Sequence, residues 1–306
     1  MRIRIALVLL TLTLSVRADF REFKILPVDP SLAVAIKRAT EDSLKENPRL
    51  TADNLAITLI DVTRDSTIQR ADYHGDAPFY PASVVKIFYM AETFHQQKQN
   101  EKDVDRALKE MIGKSDNDAT AFILDTISDT ASGPWLDDRP FRKFAERRRV
   151  VNKWLNPLGY DISAMSKPWS FGPFGRDREL VPDKSSPNRN RATSNAVGSM
   201  LLWIVRHRAV SADASEAMMA LLNRPLPPGK DENQVAGYIG EAVPAGSKLW
   251  SKAGWTSEVR HDAAYIELPS GRKIIMVIFT RGMDENDATI IPSIAKKLLA
   301  NITPPS

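Results

Sequence analysis

The sequence predicts a mixed α/β (α+β) fold: one antiparallel sheet built from N- and C-terminal strands, flanked by terminal helices, with a mostly helical region inserted between them. Three observations predict it. Segments that read as strands fall near the two ends, within 55–73 and 249–280. The middle of the chain, about 83–222, is dominated by apolar residues at helical spacing. The composition is that of an ordinary globular protein: 306 residues, 43% hydrophobic and 26% charged, enough for one large domain or two sharing a core.

The start of the chain is separate from that fold. Met1-Arg2-Ile3-Arg4 is basic, 5–16 is a short apolar run, and Val16-Arg17-Ala18 offers a cleavage site. Residues 1–18 therefore read as a secretory signal peptide. The run is too short to span a bilayer comfortably, and no cysteine follows it to carry a lipid. A periplasmic or secreted location is expected, with no stable membrane span. Arg2, Arg4 and Arg17 leave with this segment and no acid does, so the formal charge of +4 falls nearly to balance and is no nucleic-acid footprint. The absence of cysteine excludes a disulfide framework, a thiolate metal site and a thiol nucleophile. His74, His95, His207 and His261 show no zinc spacing. No metal and no cofactor is expected, the partner is a small molecule, and the chain is expected to be a monomer.

Taken in order, 19–30 is an irregular lead-in, and 31–47 places Leu32, Val34, Ala35, Ile36, Ala39 and Leu44 at helical spacing. Residues 55–62 read as a strand that pairs with 66–73 across the Thr63-Arg64-Asp65 turn. A helix then runs to about Gln97. From 101 to 130 the helical pattern returns, broken at Gly113-Lys114-Ser115-Asp116-Asn117, which sets short polar side chains on a loop able to face a cleft. Residues 133–140 are turn-rich. The basic run Arg142, Lys143, Arg147, Arg148 and Arg149 within 141–155 reads as a solvated helix face rather than an anion site. Pro168, Gly172, Pro173, Gly175, Pro182 and Pro187 break up 159–190, a long irregular stretch of the kind that is more often functional than idle. Helices are expected at 196–208 and 212–222 and a short strand at 249–252. A hairpin of 263–268 and 273–280 turns at Pro269-Ser270-Gly271-Arg272, and an amphipathic helix over 287–301 closes the chain. These elements divide the chain into a sheet domain, 19–82 with 223–306, and a helical domain, 83–222, with the active site in the cleft between them.

The organising stretch is Tyr80-Pro81-Ala82-Ser83-Val84-Val85-Lys86. Pro81 stops what precedes it, so Ser83 falls in the first turn of a helix, beside the positive end of its dipole. Lys86 lies one turn along the same face, where its amine can reach the Ser83 hydroxyl. A hydroxyl, an amine and free backbone N–H groups at one buried point are the parts of an activated nucleophile. By itself the pair reads equally as a capping serine and a solvated lysine.

Two further signatures follow in order, Ser115-Asp116-Asn117 and Lys252-Ala253-Gly254. With Ser83-x-x-Lys86 they form the set found in class A β-lactamases and penicillin-binding proteins. The chain resembles the penicillin-recognising serine hydrolases, class A β-lactamases most closely, from 55 to the closing helix. The resemblance implies a β-lactamase/transpeptidase-like fold and a β-lactam or peptidoglycan-peptide-like substrate. It also implies roles: Ser83 as the acylated nucleophile, Lys86 as proton acceptor or relay, and Ser115 as proton donor to the leaving nitrogen. Asn117 would hold the substrate's side-chain amide, and Lys252 would support Ser115 and attract the substrate carboxylate. The N–H groups of Ser83 and Trp255, past Gly254, would form the oxyanion hole, and Arg260 falls where many members keep a carboxylate-binding arginine.

The chain also departs from the pattern. Ala253 stands where Thr or Ser is usual, a lost hydroxyl worth roughly 1–3 kcal/mol toward a partly desolvated carboxylate. Counting back from Arg189-Asn190-Arg191-Ala192-Thr193, Asp177 falls at the position of the family's deacylating Glu, and Val181 at that of its Asn partner. Asp is shorter by a methylene, and a displacement near 1 Å can cost on the order of 10²-fold. Asp177 and Glu179, in Arg176-Asp177-Arg178-Glu179, fit a solvated ion-pair loop as well as catalysis. Arg260 fits a ligand or a surface charge, and Trp255 fits plain packing, since only its N–H is invoked. His261-Asp262 invites a triad reading that the motifs make unnecessary. The leading expectation is a serine β-lactamase of class A type, associated with β-lactam catabolism and antibiotic resistance. Its rivals are a D-alanyl-D-alanine-peptidase-like protein that acylates but releases slowly, and a catalytically silent periplasmic binding protein.

Overall fold

A computed structural model describes residues 18–168, 172–230, 232–282 and 287–302. The signal-peptide reading of 1–18 lies, but for Ala18, outside the described residues, as do Trp169, Ser170 and Phe171 of the unusual segment 169–174, whose role the sequence leaves open.

Six strands form one antiparallel sheet in the order β2-β1-β6-β5-β4-β3. They are β1 (Leu55–Asp61), β2 (Gln69–Tyr73), β3 (Asn223–Arg224), β4 (Lys248–Thr256), β5 (Val259–Glu267) and β6 (Lys273–Arg281). Helices α1 (Phe20–Lys24) and α2 (Pro30–Glu46) precede the sheet. Eight helices lie between β2 and β3 in the chain: α3 (Lys86–His95), α4 (Lys102–Lys109), α5 (Asn117–Ser128), α6 (Asp138–Arg148), α7 (Val150–Leu155), α8 (Gly175–Leu180), α9 (Ser194–Val205) and α10 (Ala212–Leu222). The short α11 (Ile239–Ala242) precedes β4, and α12 (Ile290–Ile302) closes the chain.

Strand alternation accounts for the layers. In β6, Ile275, Val277 and Phe279 face the helical core, whereas Ile274, Met276 and Ile278 face the layer of α2 and α12. In β1, Ala56 and Ile60 take the first face and Leu55, Ile57 and Leu59 the second. The sheet is thus buried on both sides, and its central strands read as nearly continuous apolar runs. Helix α9 lies flat on the helical face because Gly198 admits it: a Cβ there would stand 3.2 Å from the Thr58 methyl. Thr58 offsets its own burial by bonding Ser194 (2.8 Å) and Asn195 Oδ1 (2.9 Å). From Lys86 to Phe94 every residue of α3 is buried, so α3 is a core helix, apolar nearly all round.

Most expected elements occur, with local corrections. The lead-in contains α1, capped by Asp19, whose side chain accepts from Arg21 N. The stretch 159–190 contains α8. Strand β4 runs nine residues, well beyond the short strand expected at 249–252, because β5 pairs along its whole length. The basic run is not one solvated face: Arg142, Lys143, Arg147 and Arg149 are exposed, but Arg148 is fully buried. No helix among the described residues is long and apolar enough to cross a membrane.

Candidate active site

The segment before α3 is bent by its own backbone. Ala82 has φ +44, a left-handed conformation that costs a non-glycine residue on the order of 1 kcal/mol or more and that clusters at functional sites. Ser83 therefore lies in a 3₁₀ turn, Ala82–Val85, and the α-helix begins only at Lys86. This corrects the expectation that Ser83 opens the α-helix itself. Two features of the sheet hold the turn in place. Gly254 of β4 passes so close that a Cβ would stand 2.9 Å from Pro81 O, Ser83 N and Val84 N, so no larger residue fits there. His261 of β5 lies 2.9 Å by Nε2 from Tyr80 O, and its Nδ1 accepts from Thr280 N at 3.1 Å. Accepting at Nδ1 puts the ring proton on Nε2, which then donates to Tyr80 O. Burial pushes its pKa down to about 4, so His261 is a neutral strut. Asp262 accepts from Ile239 N and Ala263 N, both at 2.9 Å, and the two residues form no triad with Ser83.

The second motif sits where α4 unwinds. Residues Glu110–Lys114 form a π turn, and Ser115 N–H closes it on Glu110 O while Ser115 itself takes φ +59. Asp116 caps α5 by accepting from Ala119 N at 2.6 Å. The middle residue of the motif is thus a helix cap, and it frees Ser115 and Asn117 on either side to point at Lys86.

Lys86 Nζ donates to Ser115 O at 2.7 Å, Asn117 Oδ1 at 2.9 Å and Ser115 Oγ at 3.3 Å. Lys252 Nζ reaches the same Ser115 Oγ at 3.0 Å, as well as Ala253 O at 2.8 Å and Gln234 Oε1. Both amines are buried, so their charged forms are penalised. Burial brings the Lys86 pKa down to about 7, against a smaller upward pull from Asp116. Lys252 is pushed well below its ordinary value by burial first, then by Lys86 and Arg224. A hydroxyl that accepts from two amines has its lone pairs occupied and its own proton free to donate outward. Among the described hydrogen bonds none joins Ser83 to Lys86. The two residues meet instead as walls of one cleft of about 110 Å³, also lined by Tyr80, Asn117, Asn190 and Trp255.

Other expected site residues lie elsewhere. Asp177 is buried on α8, where its Oδ1 accepts from Arg148 at 3.3 Å. Arg148 also donates to Asp125 Oδ1 at 2.7 Å, and Lys167 bonds the other Asp125 oxygen and Ser132 Oγ (2.7 Å). Asp177 lines a neighbouring cavity of about 360 Å³ that shares Tyr80 with the Ser83 cleft, but it does not line that cleft. Val181 packs against the small apolar cluster of Phe144, Met165 and Leu180. No carboxylate is among the described residues that line the Ser83 cleft. Arg260 is buried, bonds Gly237 O at 3.1 and 3.2 Å, and lies 4.2 Å over the Tyr238 ring. It braces the 237–238 turn and does not line the cleft.

Sequence reasoning missed two buried residues at the site, Gln234 and Arg224. Arg224 donates to Ile112 O at 2.8 Å and Ser251 O at 2.9 Å, tying the π turn to β4. Neither lies in a motif or a periodic segment. Asn190 was noticed only as the end of a loop. Its Oδ1 accepts from Met165 N and Ser166 N at 2.9 Å, fixing the backbone that enters the irregular stretch.

The fold is the one shared by solved beta-lactamase and PBP-A structures. The sequence model of the beta-lactamase enzyme family matches residues 103–302, and the chain belongs to that family. The matched region includes Ser115-Asp116-Asn117 and Lys252-Ala253-Gly254 and begins after Lys86. Among solved structures, a beta-lactamase from Sphaerobacter thermophilus superposes with a TM-score of 0.64 at 20% identity, covering 89% of this chain and 99% of that one. PBP-A does so at 0.64 and 14% identity (90% and 98% covered), and a class A beta-lactamase from Mycobacterium abscessus at 0.62 and 15% (86% and 98%). At these identities the likeness establishes the fold. No curated protein sequence matches the chain.

Proposed function

We propose that the protein is an exported, monomeric serine enzyme that is acylated by β-lactams, or by the peptide stems they mimic, and releases the acyl group slowly. The observation that carries the acylation half is the single Ser115 hydroxyl shared by two buried lysines, beside a cleft walled by Ser83, Lys86 and Asn117. The cleft lies between the sheet portion, 19–82 with 223–306, and the helical portion, 83–222. Lys86, with a pKa near 7, accepts the Ser83 proton through the mobile protons of that network as Ser83 Oγ attacks the lactam carbonyl. The developing oxyanion takes the N–H groups of Ser83 and Trp255, a contribution of ~3–4 kcal/mol for each well-placed donor. Ser115 passes its proton to the leaving nitrogen as the C–N bond breaks and takes one back from Lys86, which returns to the neutral amine. Asn117 holds the substrate amide, and Lys252 holds its carboxylate.

Slow release is favoured by the lack of a carboxylate among the described residues lining the cleft and by the engagement of Asp177 with Arg148. Efficient turnover as a class A β-lactamase, which would confer antibiotic resistance, is the second reading. The Asp177 Oδ2 favours it, since that atom is buried without a donor in a cavity adjoining the cleft. A silent binder has no need of all four of Ser83, Lys86, Ser115 and Asn117.

The test is to mix the purified protein with a chromogenic cephalosporin while following its intact mass. A stoichiometric burst with a lasting adduct is expected. Steady colour without an adduct would establish turnover, and neither signal from folded protein would leave the binder.

A further inference from the structure

We propose that Gln234 is a positioning residue for acylation: its neutral amide locks Lys252 to the Ser115 turn and keeps negative charge away from the two lysines. The proposal deepens the acylating-serine reading and rests on it for its role in the reaction. Gln234 is fully buried, and its amide has every partner it can use. Oε1 accepts from Lys252 Nζ and, at 3.2 Å, from Ala253 N. Nε2 donates to Ile112 O at 3.1 Å and Gly113 O at 2.8 Å. Only one amide orientation satisfies two donors on one side and two carbonyls on the other. The two carbonyls belong to the π turn that ends at Ser115, and the two donors belong to the third motif. One side chain therefore fixes the distance between the turn that supplies the shared Ser115 hydroxyl and the motif that supplies Lys252.

The chemistry of the acceptor matters as much as its position. Lys252 donates to a hydroxyl, a carbonyl and an amide oxygen, all of them neutral. The charged groups that act on it are Lys86 and Arg224, which disfavour its ammonium, and the less influential Asp262 and Glu232, which favour it. A carboxylate in place of the Gln234 amide would keep the acceptor and lose the Nε2 donor. It would also add an attraction opposing burial and the repulsion of Lys86 and Arg224, which together hold the Lys252 pKa down.

The experiment compares the wild type with Gln234→Glu and Gln234→Met in two readouts across the pH range. One is the rate of benzylpenicillin adduct formation by intact mass; the other is the titration of the buried lysines by NMR of protein carrying ε-¹³C-lysine. For Gln234→Glu the lysine titration and the rise of acylation with pH are expected to move upward by about one unit. Acylation near neutral pH then falls about 10-fold and recovers in alkali. For Gln234→Met, which adds no charge, the titration is expected to move downward and acylation of the folded variant to fall at least about 10-fold at every pH. Folded variants with the wild-type titration would overturn the proposal, because a residue that merely packs would lower the melting temperature and leave both profiles in place. If the wild type forms no adduct, the acylating-serine reading is lost, and the lysine titration still decides whether Gln234 sets the amines.

Discussion

Two clusters of buried charge stand about Tyr80, and they are built on opposite plans. In the first, Lys86 and Lys252 share Ser115 Oγ, and every acceptor described for them is a neutral oxygen. In the second, Arg148 and Lys167 meet Asp125 and Asp177, two cations against two carboxylates. Burying a charge costs several kcal/mol unless it is paired, and an unpaired amine lowers that cost by giving up its proton. The first cluster takes that course and so holds a base poised near neutrality; the second pairs its charges and so holds a loop. The difference is that Asp177, whatever its place in the chain, is engaged by Arg148, whereas the lysines face neutral oxygens, the setting that the proposed proton transfer needs.

The sharpest way to break the comparison is at its nucleophile. Ser83→Ala should abolish the penicillin adduct in intact-mass spectra while leaving the melting transition in place; an adduct on another residue would refute the assignment. Next, Lys86→Met should slow acylation by roughly 10²–10⁴-fold, the contribution of a general base. In the wild type the rate should rise with pH through about 7, as Lys86 loses its proton. The same group sets a stability trend of definite sign. Its folded pKa of about 7 lies below the ordinary 10.5, so the unfolded chain binds more protons between those values. Lys86 therefore contributes a rise in stability with pH across that window and none below it. Urea midpoints that fall between neutral and alkaline pH in the wild type, relative to Lys86→Met, would contradict this.

The second cluster should respond in stability instead. Arg148→Met leaves Asp125 and Asp177 with one cation fewer and should cost ~3–5 kcal/mol in urea unfolding. Acylation per folded molecule should hardly change. The smallest effect is expected from Asp177→Asn, with acylation unchanged and the adduct lifetime altered less than about 3-fold, well short of the 10²-fold or more that loss of a general base brings. A large lengthening of that lifetime would revive Asp177 as the deacylating base.

Much of this was legible in the chain. Short strand-like runs bounded by turn residues placed β1, β6 and much of β5; only the structure shows that β6 pairs with β1 over seven residues and with β5 over nine. Helix α10 occurs at 212–222 as the apolar spacing predicts. The three motifs come to one cleft network in the order in which they are met. The two clusters could not be told apart so early, because Arg148 lies in a run of basic residues whose other members are exposed. Likewise the family resemblance suggests Arg260 as a ligand arginine, yet its guanidinium bonds the Gly237 carbonyl in the loop before α11.

What the sequence by itself determined is whatever is encoded locally: strand and helix periodicity, the capping Asp116, the glycine at 254, and the residue types that any acyl transfer here must use. Only the tertiary structure decided which charges are paired and which are left to shed protons. The reason is physical. Burial and hydrogen bonding depend on partners such as Gln234, 122 and 121 residues from the carbonyls it holds, and no periodicity in the chain records such a meeting.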